Sequence, residues 1–387
     1  MSKKLILASA GAGKTHRIVT EAIELIKSGG KVLVVTYTIN NQKEVISKFK
    51  ELQGKYIENF HVKGLFTFLL DDLIRPYQNC MFNGRIESIN FNESNPNKKT
   101  VNRKSIYIKG RQEKNADKTY NPRCYLTSDS KKAHTMFLAK LASRIMGESK
   151  GKTLSRLEDI YDHIYFDEVQ DLVGWDYDVI HKISKSGKLK ITCVGDFRQT
   201  IYETATALKN PKTNQEKLDS FNKMGFIYEP MNVSRRSIQK ICDFADKIHS
   251  NDGYDKTISL VDDDIPEKYK EHAGVFVVKE SDVGAYAGIF NPTLLRSMVS
   301  SGKQFNELSI PKINFGKSKG LGFNRVLVLP TDNYTKYLSG DEKSLEKGKT
   351  DASKNKLYVA ITRARYSICF IVKDNEIEKY NIPIWSI

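Results

Sequence analysis

The apolar run Leu5-Ile6-Leu7 breaks into Ala8-Ser9-Ala10-Gly11-Ala12-Gly13-Lys14-Thr15. Few folds accommodate a buried strand that enters a small-residue loop and leaves it through a Lys-Thr pair. In such a loop the glycines let backbone N–H groups turn inward and cradle phosphate oxygens. Ala10, Gly11, Ala12 and Gly13 would line the cradle, Lys14 would reach the outer phosphates, and the Thr15 hydroxyl would ligate Mg²⁺. The following helix adds its positive N-terminal end. Ala8 stands where this pattern usually has its first glycine. The surroundings fit: Lys4–Ser9 reads as a strand, and Thr15–Ile26 as a helix with Ile18, Val19, Ala22, Ile23 and Ile26 at helical spacing.

At 387 residues the chain is long enough for two domains. Sixty-two Lys and Arg against 46 Asp and Glu give a formal charge of +16, which favours a polyanionic partner, chiefly nucleic acid. Cys80, Cys124, Cys193, Cys242 and Cys369 show no paired spacing, so neither a metal site nor a disulfide framework is expected. The basic start, Met1 to Lys4, and the apolar stretch after it mimic a signal peptide but are too short for one. No apolar stretch is long enough to span a membrane, and the expectation is a cytoplasmic protein without a membrane partner.

The first part alternates strands and helices: a strand at Lys31–Thr36, a helix near Asn41–Leu52, a strand at Tyr56–Val62 and a helix at Leu65–Ile74. Asn83–Arg123 changes texture, being rich in Asn, Lys, Ser and Arg, and reads as an exposed basic insertion closed by a helix around Ala133–Met146. Strands resume at His163–Phe166 and Leu189–Val194; later ones are Val275–Val278, Arg325–Leu329 and Ser367–Val372, and Gly340–Lys354 reads as a charged loop. The expected division is 1–75 and 151–224 for a first α/β domain, 76–150 for its inserted basic subdomain, and 225–387 for a second α/β domain with a reduced insertion near 251–306.

Three further segments carry chemistry. His163-Ile164-Tyr165-Phe166-Asp167-Glu168 is an apolar strand ending in two carboxylates. Asp167 would hold Mg²⁺ through its water shell, and Glu168 would take a proton from an attacking water. Gly195-Asp196-Phe197-Arg198-Gln199-Thr200-Ile201-Tyr202 follows a second strand and offers Gln199 as a γ-phosphate sensor. Lys356 to Arg365 sets basic residues on a helix.

Taken in order, these segments resemble the UvrD/Rep family of superfamily 1 DNA helicases. Thr36-Tyr37-Thr38-Ile39-Asn40 is similar to the family's T-F-T-N segment, and Phe60-His61 to part of T-F-H-S-F. Asp167 to Asp171 matches D-E-x-Q-D, and Gly195 to Tyr202 matches G-D-x-x-Q-x-I-Y. Ser234-Arg235-Arg236-Ser237 holds the place of N-Y-R-S, Lys319-Gly320-Leu321 matches K-G-L, and Thr362-Arg363-Ala364 matches T-R-A. The resemblance implies two RecA-like P-loop domains with parallel sheets that sandwich ATP and Mg²⁺. It makes Lys14, Asp167, Glu168, Gln199, Arg236 and Arg363 catalytic, and Arg235 and Gly320 nucleotide contacts. It assigns Thr36, Tyr37, Thr38, Asn40, Phe60, His61, Tyr202, Lys317 and Lys319 to nucleic acid. The implied activity is ATP-dependent translocation on single-stranded or tailed DNA with 3′→5′ polarity.

The chain also departs from that family. The large accessory insertion of the second domain is nearly absent. Glu203-Thr204-Ala205-Thr206 replaces the aromatic-Arg-Gly-Ala after Ile-Tyr, removing a ring that stacks on bases. Gly322 replaces the Glu of K-G-L-E, and Arg235 replaces the Tyr that stacks on adenine, leaving only cation–π contact there. Only Met1–Leu7 precede the loop, leaving no room for a Gln segment that reads adenine. Loose base selection follows, with GTP or CTP supporting hydrolysis within a modest factor of ATP. These departures keep a second reading open: a DNA-gated ATPase switch that recruits or activates a partner such as a nuclease, as in anti-phage systems or mobile elements, without unwinding. An RNA helicase is a third.

Overall fold

The computed structural model describes every residue except 1–2, 56, 93, 202–208, 347–350 and 387. Tyr202 and the Glu203–Thr206 stretch therefore lie outside the described residues. The chain is α/β and divides into two units: Met1–Ile6, Thr15–Gly195 and Tyr202–Glu229 form the first, and Leu7–Lys14, Asp196–Ile201 and Pro230–Ile387 the second.

The first unit is built around a six-stranded sheet of β1 (Lys3–Ala8), β2 (Val32–Thr36), β3 (Phe60–Gly64), β4 (His163–Asp167), β5 (Lys190–Gly195) and β6 (Ile227–Met231), in the order β6-β1-β5-β4-β2-β3. The β2/β3, β2/β4 and β4/β5 pairings are parallel. Every residue of β2 and β4 is buried, as continuous apolar strands covered on both faces must be. Helix α1 (Lys14–Lys27) buries Ile18, Val19, Ala22, Ile23 and Ile26. Helix α2 (Ile39–Gln53) is capped by Thr38, whose hydroxyl accepts from the Asn41 N–H, and ends at Gly54 in the left-handed region.

Leu65–Ile74 is not one α-helix. It runs as α over Leu65–Phe68, as a wider π-turn over Leu69–Ile74, and as a 3₁₀ segment over Arg75–Cys80. The wide turn buries Leu69, Leu70, Leu73 and Ile74 together with Asp72, which pairs with Lys63 at 2.6 Å. The basic insertion is ordered by local chemistry. Lys98–Val101 and Lys104–Tyr107 pair as a hairpin whose two turn residues, Asn102 and Arg103, both have positive φ. Glu113 anchors the segment to helix α3 (Thr135–Glu148), accepting from Lys140 and Arg144 at 2.7 Å each and from Tyr125 Oη at 2.7 Å. These donors overcome the opposing effect of burial and hold its carboxyl down at about 2.

The second unit holds an all-parallel six-stranded sheet of β7 (Gly274–Lys279), β8 (Thr293–Arg296), β9 (Lys312–Asn314), β10 (Phe323–Val328), β11 (Ala364–Val372) and β12 (Ile384–Trp385), in the order β9-β8-β10-β11-β7-β12. Alternate residues serve two cores. Val277, Leu295, Val326, Ile368 and Phe370 face one, while Val278, Leu294, Leu327, Cys369 and Ile371 face the other. The stretch near 251–306, expected as a reduced insertion, supplies β7 and β8. The charged stretch after Gly340 contains a 3₁₀ turn at Glu342–Leu345, and helix α4 (Ala352–Ile361) begins before its end. Among the described residues, no helix is long and apolar enough to cross a membrane.

Candidate functional site

The phosphate loop is shaped by two residues in the left-handed region, Gly11 (φ +75°) and Gly13 (φ +82°). Gly11 is also required by crowding: a Cβ there would lie 2.6 Å from Arg236 Cβ and 2.9 Å from Ser234 Oγ. The Gly11 carbonyl accepts from the Arg235 N–H at 2.9 Å. Ala10 belongs to the larger core of the second unit, and its N–H points to Tyr358 Oη at 3.4 Å. The loop thus meets the Ser234–Ser237 segment more than 200 residues away along the chain.

A buried polar network continues from the loop. Arg198, 2% exposed, donates to Ser9 Oγ at 2.7 Å, Asp196 at 3.1 Å and Asp246 at 3.0 Å. Its guanidinium lies between the rings of Tyr254 and Tyr358, 5.0 and 4.8 Å from their centroids. Burial pulls its pKa down, but Tyr358, Asp196 and Asp246 outweigh this and raise it. Next to it, Gln199 donates to Asp196 at 2.8 Å and accepts from Arg363 Nη2 at 3.1 Å. Arg363 is 1% exposed; its Nε donates to the Val359 carbonyl and its Nη1 to the Leu321 carbonyl, both at 3.0 Å. Arg236 donates to the Thr362 carbonyl at 3.3 Å, and Gly322 lies beside its guanidinium. The side chain of Arg235 is exposed, and Gly320 is exposed with φ +85°. Gln199, Arg235, Arg236, Arg363 and the loop backbone therefore gather within one unit.

The carboxylate pair ends β4 in the other unit. Asp167 is buried and accepts from the Glu168 N–H at 2.9 Å. Glu168 has φ +56°, a conformation that costs a non-glycine residue energy and redirects its side chain away from the strand's alternation. Its carboxylate accepts from Gln170 Nε2. Gly195 permits this turn, because a Cβ there would lie 2.5 Å from Gln170 Oε1. Lys217, fully buried, donates to the Gln170 carbonyl at 2.6 Å. Thr15 donates to Glu44 at 3.1 Å. Sequence reading missed the roles of Arg198, Tyr358, Glu44 and Lys217; Arg198 and Tyr358 stood inside segments already singled out.

The candidate nucleic-acid residues divide by exposure. Phe60 is corrected: it is wholly buried and stacks on Phe49 at 3.9 Å, so it is a core ring rather than a strand contact. Thr36 is likewise buried, at 1% exposure. His61 is half-buried with its ring on Tyr161, and burial followed by Lys63 lowers its pKa. Thr38, Asn40 and Lys317 are exposed, and Lys319 is half-buried. Tyr37 packs edge-on to Phe66 at 5.8 Å, and Phe66 meets the exposed ring of Phe91 at 6.1 Å. Burial, followed by Asp176 and Asp171, raises the Tyr37 pKa.

A family model described as an AAA domain matches residues 2–205, more than half of the chain. This chain belongs to the AAA domain family. The phosphate loop, α1 and the acidic end of β4 all fall inside the matched region of this AAA domain protein, a nucleotide-binding P-loop fold. No curated protein matches it. Among solved structures, an Arterivirus nonstructural protein 10 (helicase) in complex with DNA is similar, at 13% identity and a TM-score of 0.44. That match covers 97% of this chain, which spans 62% of the viral chain.

Proposed function

We propose that this AAA domain protein is an ATP-dependent translocase or helicase of the UvrD/Rep type, moving 3′→5′ on single-stranded DNA. The gathering of Gly11, Arg236, Gln199 and Arg363, four motifs scattered along the chain, is the observation that carries the reading. The loop fits a nucleotide's phosphates, since Gly11 leaves no room for a side chain and both glycines turn the backbone inward. Lys14 and the loop N–H groups would hold the phosphates, and Thr15 and Asp167 would hold Mg²⁺. The ion, when bound, supplies Lewis-acid polarisation of phosphoryl oxygens. Glu168 would accept the proton of the attacking water, Gln199 would orient that water, and Arg236 and Arg363 would neutralise developing charge.

Lys14→Ala should abolish DNA-stimulated ATP hydrolysis while leaving the circular dichroism spectrum unchanged. Hydrolysis at the unsubstituted rate would sink the reading. One observation favours the switch alternative, in which nucleic acid gates the ATPase to recruit a partner. The Arg363 guanidinium is committed to two backbone carbonyls and Gln199, so its use in catalysis requires a rearrangement that DNA could trigger. Displacement of a strand from a 3′-tailed duplex by the isolated chain would remove that alternative.

A further inference from the structure

A cavity of about 520 Å³ in the second unit is lined by Tyr269, Phe290, Asn291, Gly322, Arg325 and Arg365, among others, and reaches the Arg236 guanidinium at Gly322. Arg325 is 8% exposed, and its guanidinium lies between the rings of Tyr269 and Phe290, 5.1 and 4.5 Å from their centroids. Nη2 donates to the Lys268 carbonyl at 2.8 Å, while Nε is sealed from solvent and has no acceptor among the described residues. Among the described residues no carboxylate acts on this guanidinium; burial is the main influence on it, followed by Tyr286 and Tyr269. A buried cation without a counter-charge is costly, and native chains keep one where an anion repays the cost. The two rings flank the guanidinium, and with Nε sealed from solvent a tetrahedral oxyanion would meet its terminal nitrogens. Arg365 adds a second positive charge, and Asn291 and Asn324 add amide groups. The volume lies within the range of small-ligand sites and is ample for one nucleotide.

We propose that this cavity binds the phosphate group of a nucleotide, either free or as one unit of a strand, with Arg325 as its anchor and Arg365 at its rim. None of its lining residues belongs to the phosphate loop. Trp385 is a built-in reporter, its ring lying 5.8 Å from that of Phe290 and 5.1 Å from that of Tyr286.

The test uses the full chain carrying Trp175→Phe, so that Trp385 emits alone, and Lys14→Ala, so that the loop does not compete. AMP and a short oligothymidylate are titrated separately at constant ionic strength while Trp385 emission is followed. A saturable change with AMP assigns the site to free nucleotides; one with the oligonucleotide alone assigns it to a strand; either supports the proposal. Arg325→Gln and Arg365→Gln should each raise the apparent Kd about tenfold, the scale of one charge-assisted hydrogen bond. If Arg325→Gln loses its near-ultraviolet dichroism, the exposed Arg365→Gln decides. No saturable response to either probe, or a Kd unchanged by the substitutions that fold, overturns the proposal.

Discussion

Replacing Arg198 by Leu would test whether the network behind the phosphate loop stabilises the second unit. The substitution leaves Asp196, 1% exposed at its side chain, without the cation at 3.1 Å, and Asp246, 19% exposed, without the one at 3.0 Å. Removing one partner of a buried ion pair costs about 3–5 kcal/mol, mostly through the charge left behind. Asp246 keeps some solvent and contributes less. Loss of the Tyr254 and Tyr358 contacts adds about 0.5–2 kcal/mol each by the general scale, but these terms overlap and do not sum. The net expectation is about 3–5 kcal/mol, equivalent to a fall in Tm on the order of 10 °C for a unit of this size. Urea unfolding read by Trp385 emission in the Trp175→Phe chain measures it, since Trp385 lies in that unit. Asp246→Asn should cost less in the Arg198→Leu chain than in the parent chain, by about 1 kcal/mol or more. A cost below about 1 kcal/mol for Arg198→Leu, or strict additivity of the two changes, would refute the reasoning.

Two other outcomes follow from the geometry. Gly11→Ala should weaken nucleotide binding at least tenfold and lower stability by about 1–3 kcal/mol, because its Cβ meets Arg236 and its φ is positive; equilibrium binding of a fluorescent ATP analogue and thermal melting check both. Stability should fall as pH drops below about 6.5. Burial, aided by Lys190 and Lys4, pushes the His163 imidazole down to about 3, and burial with Arg325 pushes that of His272 down to about 4. Both are neutral in the fold, so the unfolded chain binds the extra protons and gains from acid. At pH 5 the loss should be about 2 kcal/mol for each imidazole, levelling off once pH passes below the folded values. Melting curves of His163→Gln and His272→Gln should show a flatter dependence over pH 5–6.5.

Strand, loop and helix at the start of the chain were legible because their signal is local: an apolar run, two turning glycines and a helical stripe from Ile18 to Ile26. The carboxylates after Phe166 and the Gln199 segment were legible for the same reason, each closing a buried strand. Phe60 was misjudged because a ring beside a histidine looks the same in sequence whether it stacks on Phe49 or on a base. Within 251–306 the strand at Val275–Val278 was legible, whereas β8 was not, because it is only four residues long and carries little pattern. Arg198, Lys217 and Tyr358 were hidden for another reason. Their roles rest on partners such as Ser9 and Gln170 that lie 47 to 348 positions away, and no periodicity encodes such pairings.

The allegiance of residues Leu7–Lys14 has a consequence for how the chain can be cut or borrowed. The motif most easily spotted at the start of the chain draws its packing from Ile238, Ile241 and Tyr358, which are encoded far downstream. A fragment ending near residue 229 would contain every letter of the phosphate loop and none of the wall that Ala10 leans on. Grafting or duplicating the N-terminal half alone would therefore copy a recognisable signature without the rigidity that makes it a binding site. A transplant that keeps the loop must therefore carry the segments of Ile238, Ile241 and Tyr358 with it.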